Sequence, residues 1–142
     1  MSAAKVATLA TVARDPEGFP YASLVAFASD ANGRPLLLLS RLAEHTENLR
    51  LRPQASLLVC EPDASNVDPL SLGRVTILGP CVLVPEDEKA DARATFLARQ
   101  PSAATYVDFA DFAFYRLEPR ALRFVGGFGR MSWVSAQEYS LG

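Results

Sequence analysis

The sequence predicts a mainly β fold, a small antiparallel β-barrel of six or seven strands with one or two flanking helices outside it. Three observations carry this. Apolar runs of strand length recur between clusters of Gly, Pro, Asn and Asp. An Asn-Gly pair at Asn32 and Gly33 separates two of those runs, the strongest short-range hairpin signal. Only one segment, 85–101, has the length and pattern of a full helix.

The elements follow in order. "KVATLATVA" (5–13) reads as a first strand, "RDPEGFP" as a turn and "YASLVAFAS" (21–29) as a second strand. "DANGRP" turns the chain into "LLLLS" (36–40), closing a hairpin. The runs 21–29 and 36–40 are apolar on both faces, which calls for a barrel interior on one side and a second surface on the other. A partner subunit is the simplest source of that surface. A short helix over 47–51 stops at Pro53, and "ASLLVCE" (55–61) is the next strand. The loop "PDASNVDPLSLG" leads into a long strand, 74–84, bent at Gly79-Pro80. In the helix, acidic residues at the start and Arg93 and Arg99 near the end suit the dipole, with Ala90, Ala94 and Leu97 as the stripe and Phe96 beside it. "FAFYRLEP" and "ALRFVGG" form a hairpin around 118–120, and the tail ends in a short helix near 135–139.

The totals narrow the function. A chain of 142 residues fits one domain, 1–142, and needs no metal or disulfide to hold a core. Its net charge of −2 lacks the basic surplus of a nucleic-acid binder. No apolar run approaches the roughly 18 residues of a membrane span. The N-terminus lacks a basic region followed by a long apolar core, so a cytoplasmic protein with Cys60 and Cys81 as free thiols is expected. Zinc spacing, a P-loop, a dinucleotide glycine fingerprint and a nucleophile elbow are all missing.

One polar cluster stands out after the strand 36–40. It holds Ser40, Arg41, the chain's single histidine His45, Thr46 as N-cap of the short helix, and Asn48. Hydroxyls, a guanidinium and a helix start within nine residues suit a phosphate. The same residues also read as a capped helix with a solvated arginine and a surface histidine. Arg74 opens the long strand, where it reaches towards a neighbouring strand end or lies solvated. "VGGFGRMSW" places three glycines around Phe128, suited to close backbone approach or to a plain turn. Trp133 reads as a packing residue or a stacking one.

The segments 9–59, 68–79 and 111–134 resemble the FMN-binding split-barrel proteins, the relatives of pyridoxamine 5'-phosphate oxidase, and within them the haem-iron-utilisation branch. The carriers are S-x-L-x-x-H-T-x-N-L at 40–49, R-V-T-x-L-G at 74–79 and G-G-F-G-R at 126–130, in this order. The resemblance implies a homodimer with FMN in clefts at the subunit interface. It implies contacts to the flavin ring from Ser23 and Val25, to the phosphate from Ser40, Arg41, His45, Thr46 and Asn48, and further contacts from Arg74, Arg130 and Trp133. The expected activity is that of a flavoprotein oxidoreductase acting on a small-molecule substrate, with the redox chemistry left to the cofactor. Two alternatives stand beside it. One is a haem-binding or haem-utilisation protein, with His45 as the available axial ligand. The other is a cofactor-free dimeric interaction module. Pyridoxamine phosphate oxidase carries an Arg/Lys-rich phosphate grip where this chain has His45-Thr46, and longer haem-branch members have a further C-terminal domain.

Overall fold

The structure is a computed structural model describing residues 4–62, 68–126 and 130–141. Gly127, Phe128 and Gly129 of the glycine-rich segment, and 63–67 of the Pro/Asp/Ser-rich loop, lie outside the described residues.

Strand β1 (Val6–Val12) alternates, with Ala7, Leu9 and Thr11 turned inward, as a half-buried strand requires. It pairs antiparallel with β2 (Pro20–Ala26) on one side and with β5 (Gln54–Cys60) on the other. Strand β5 pairs in turn with the ten-residue β6 (Arg74–Leu83). There the sheet forks. Arg74 to Leu78 pair with β8 (Ala121–Val125), while Cys81 to Leu83 pair with β7 (Phe112–Leu117). Beyond β7 lie β4 (Pro35–Ser40) and the two-residue β3 (Ala28–Ser29); beyond β8 lies β9 (Met131–Ser135). The nine strands of the described residues form one curled antiparallel sheet, which bears out the mainly β barrel.

The fork sits at Gly79-Pro80, the bend read from the sequence. The Pro80 carbonyl accepts from the Glu118 N–H and the Leu78 carbonyl from the Arg120 N–H. A Cβ at Gly79 would collide with the Glu118 carbonyl. The expected hairpin of β7 with β8 is therefore corrected. Neither strand pairs with the other, because each takes a different half of β6.

The run 21–29 also splits. Residues 20–26 pair with β1, whereas Ala28 and Ser29 pair with β4 across the Asn-Gly turn. Gly33 has φ +79, the left-handed conformation that turn needs. Strand β4 is apolar on both faces because it separates two cores. Leu37 and Leu39 face the barrel with Leu9, Leu57, Val75 and Leu117. Leu36 and Leu38 face a second cluster with Phe96, Val107 and Phe114. The second surface for β4 comes from the chain's own helix α2 (Lys89–Arg99), not from a partner subunit. Strand β2 keeps its outer face exposed, with Leu24 73% accessible.

Helix α2 turns Ala92 and Phe96 inward, and Ala90 and Ala94 outward, so the expected stripe is rotated. A 3-10 turn over Glu86–Glu88 precedes the helix and shifts its register. Phe96, the largest fully buried side chain, sets the inward face through its edge contact with Phe114 at 5.7 Å. The tail helix α3 (Ala136–Leu141) starts with a capping box. The Glu138 N–H donates to Ser135 Oγ at 3.2 Å and the Ser135 N–H to Glu138 Oε1 at 3.4 Å. Both cysteines are free, and burial raises the Cys81 thiol to about 12.

The fork yields a prediction. Gly79→Ala places a methyl against the Glu118 carbonyl and is expected to cost about 1–3 kcal/mol, as overpacking does. A urea denaturation curve with an unchanged midpoint would remove Gly79 from this role.

Candidate functional site

Helix α1 (Glu44–Leu51) carries the histidine, and one buried amide fixes where that helix sits. Asn48 Nδ2 donates to Thr11 Oγ1 at 3.0 Å, and Asn48 Oδ1 accepts from the Arg14 N–H at 3.0 Å. Asn48 is fully buried, so its bond to Thr11 is shielded from water, and the bond from the Arg14 N–H is partly so. They lock α1 against β1 and turn His45 towards β2, where its Nδ1 lies 3.1 Å from Ser23 Oγ.

His45 lines a cavity of about 330 Å³ together with Leu24, Val25 and Ala26 of β2, Leu38, Leu39 and Ser40 of β4, and Phe96, Tyr106 and Phe112. That size lies in the range of small-ligand pockets, about 300–1,000 Å³. Tyr106 and Phe112 pack at 5.0 Å between ring centroids. The walls are mainly apolar, and the imidazole is the one nitrogen base among them. Burial lowers the His45 pKa, so the ring is neutral at pH 7.

The ten residues singled out in the sequence divide into four groups. Val25, Ser40 and His45 line the cavity, and Ser23 touches it through His45. Arg41 is exposed next to Ser40, its Nη2 donating to the Ala110 carbonyl at 3.1 Å. Thr46 and Asn48 are fully buried and face the core. Arg74, Arg130 and Trp133 lie in the other arm of the fold. Arg74 Nη1 braces the Leu70 and Leu72 carbonyls. Arg130 is exposed, its carbonyl accepting from the Gly126 N–H. Trp133 is 60% exposed on β9 with the Arg123 guanidinium 5.3 Å from its ring centroid.

The N-cap expected at Thr46 does not form. The helix begins at Glu44 rather than Glu47, with Ala43 as N-cap, so Thr46 lies inside the first turn. Glu44 and Glu47 already place two carboxylates at the positive end of the helix. Ser40 Oγ accepts from the Leu42 N–H at 3.1 Å and lies 3.4 Å from Asp111 Oδ2, which ties it to its own turn. Leu24, Leu38, Phe96, Tyr106 and Phe112 were not singled out from the sequence. For Tyr106 and Phe112 the aromatic spacing of "YVDFADF" was the one local signal.

A family model described as "CREG, beta-barrel" matches residues 1–141, and the chain belongs to that family. It is 43% identical over 120 residues to the non-canonical heme oxygenase HOZ, chloroplastic, of Arabidopsis thaliana, a match covering 84% of this chain and 36% of that protein. The solved structure of a heme binding protein from Mycobacterium smegmatis superposes with a TM-score of 0.90 at 38% identity, covering 97% of this chain and 55% of that one. The chain thus spans about a third to a half of these relatives. A protein of the pyridoxinephosphate oxidase family from Clostridium acetobutylicum, related to general stress protein 26, shares the fold with a TM-score of 0.69 at 12% identity, covering 95% and 88%. The FMN expectation is overturned. The two relatives described above at 43% and 38% identity are named for haem, and of the residues expected at the flavin phosphate Thr46 and Asn48 are buried in the core.

Three outcomes follow from this geometry. Asn48→Ala leaves Thr11 and the Arg14 amide without partners and is expected to cost about 1–3 kcal/mol. Thr46 Oγ1 is buried with no partner, so Thr46→Val is expected to be neutral or to stabilise by about 1 kcal/mol. Denaturant midpoints moving in one direction for both variants would contradict this division. His45 binds a proton less readily folded than unfolded, so stability is full above the ordinary pKa of 6.5 and falls as pH drops through 6.5 towards the folded value. His45→Gln should lose that part of the pH dependence, read from Tm against pH.

Proposed function

We propose that this barrel binds haem in the cavity beside His45. The observation that carries the reading is the chain's single imidazole, half-buried in a cavity whose other walls are mainly apolar, with the Ser40 and Tyr106 hydroxyl side chains as the polar exceptions. The relatives named for haem support it. The donor set fits the group. A neutral imidazole suits iron, and leucine, valine and aromatic walls suit a macrocycle. His45 would hold the iron, Leu24, Val25, Leu38 and Phe112 would flank the ring, and Arg41 beside Ser40 would meet a propionate carboxylate. Bound haem would supply the redox chemistry. The chain's own residues orient it and exclude water from one side. Both cysteines being free fits a reducing compartment such as the cytoplasm.

The proposed assembly is a homodimer. Across β2, β1, β5, β6, β8 and β9, one cross-strand row turns Leu24, Thr8, Leu58, Thr76, Arg123 and Trp133 to the same side. The neighbouring row adds Val6 and Met131, 53% and 60% exposed, and the only charged side chains in the two rows are Arg74 and Arg123. A broad sheet face this apolar calls for a protein surface to cover it. Leu24 borders both this face and the His45 cavity, so a second copy seated on the face would wall the open side of the cavity.

The test is a haemin titration followed at the Soret band. Saturable binding by the unmodified chain, weakened at least tenfold in His45→Ala, is the expected result. Equal affinity in both would remove His45 as the iron ligand. Arg41→Ala should weaken binding at most about fivefold, since an exposed ion pair contributes under about 1 kcal/mol. Val6→Lys with Leu58→Lys should shift the dimer to monomer in light scattering. A dimer that persists would place the interface elsewhere.

A further inference from the structure

Ser23 is a half-buried hydroxyl in the middle of β2, paired in register with the fully buried Leu9 of β1. Its Oγ lies 3.1 Å from His45 Nδ1, which is the one hydrogen bond the His45 ring makes among the described residues. The contact joins residues 22 positions apart on two different elements. Both elements are held independently of it. Strand β2 is fixed by its full-length pairing with β1, and α1 by the two bonds of Asn48. The serine therefore meets the ring without having to hold the fold together.

Two arrangements satisfy the distance. In one, the serine hydroxyl donates to Nδ1 and the ring carries its proton on Nε2. In the other, Nδ1–H donates to Ser23 Oγ and Nε2 keeps its lone pair. The first leaves a ring N–H, fixed in direction by the imidazole plane, with no protein acceptor among the described residues. The second leaves a hydroxyl hydrogen, which rotates to find water or a carbonyl. Nε2 lacks a protein partner among the described residues in either case, and an unpaired, fixed N–H donor is costlier to leave in a mainly apolar cavity than an unpaired acceptor.

We propose that Ser23 is a positioning residue that holds His45 as the Nδ1–H tautomer and so keeps the Nε2 lone pair available to iron. This rests on the haem reading above and specifies how the protein prepares the imidazole for that role. A metal-bound histidine generally donates its other ring N–H to a fixed acceptor, and loss of that acceptor typically weakens metal affinity 10- to 100-fold. Here the acceptor is a hydroxyl on a strand rather than a carboxylate. Ser23 thus orients the ring without adding a second negative charge beside it.

The experiment has two readings. Long-range proton–nitrogen NMR of the protein before haemin is added reports the tautomer directly, and an Nδ1–H ring is expected. Haemin is then titrated into the unmodified chain, Ser23→Ala, Ser23→Thr and His45→Ala, with Tm recorded for each. Ser23→Ala should keep its Tm, lose the tautomer preference and bind haemin 10- to 100-fold more weakly, with Ser23→Thr restoring most of the affinity. An Nε2–H ring in the haemin-free protein overturns the role of Ser23 and leaves the haem reading standing. So does Ser23→Ala binding haemin normally while His45→Ala does not. Unchanged affinity in His45→Ala removes iron ligation by His45 whatever the tautomer, and the Ser23 proposal falls with it.

Discussion

One strand has to serve two sheets, and the rest of the molecule is arranged around that constraint. β6 pairs on one edge with β5 from Arg74 to Pro80, while its other edge is shared. The first five residues take β8 and the last three take β7. A straight strand presents one continuous edge to one neighbour, so the change of partner requires a bend where the incoming chain can press close. Gly79 leaves room for the Glu118 carbonyl, and Pro80 still offers its own carbonyl to the Glu118 N–H. The arm β7-β4-β3 then lies over α2, whereas the arm β8-β9 extends the outward face. The His45 cavity opens where the first arm meets β2.

Helix α1 shows how polar residues in a sequence can be spent on architecture. Five residues in the motif at 40–49 look like anion ligands, yet Thr46 and Asn48 face the core and the Ser40 hydroxyl is tied to its own turn. Asn48 is the informative case. A buried amide is tolerated because it is paired at both ends, and the pairing fixes the helix to one rotation. With the helix so fixed, His45 falls on the side towards β2. The histidine's position is a consequence of the asparagine's hydrogen bonds three residues later.

The barrel was legible in the sequence because its signals are local. Alternation in β1, the Asn-Gly turn and Gly79-Pro80 each act within a few residues. What was not legible depends on pairing at long range. The β7–β8 hairpin looked sound from "RLEPRAL", but both strands find better partners in β6. The four leucines of β4 correctly indicated two buried faces. The identity of the second cover, α2, required knowing that Phe96 meets Phe114. The site shows the same division. His45 and Ser23 were each singled out, but nothing local says that they meet. Tyr106 and Phe112 reach the cavity only through the packing of α2 and β7.

The distribution of polarity between the two arms argues for what each does. The cavity joins one nitrogen base to mainly apolar walls, an arrangement suited to a ligand held by few polar bonds and by shape. The outward face has wide apolar rows broken by two arginines, which suits a flat surface of matching size. Leu24 belongs to both, and at 73% exposure it is the least covered apolar residue on the six-stranded arm. A surface that buries Leu24 from outside would close the cavity from the same side. Assembly and ligand binding at this barrel would then be linked through one side chain, each favouring the other by the shared burial.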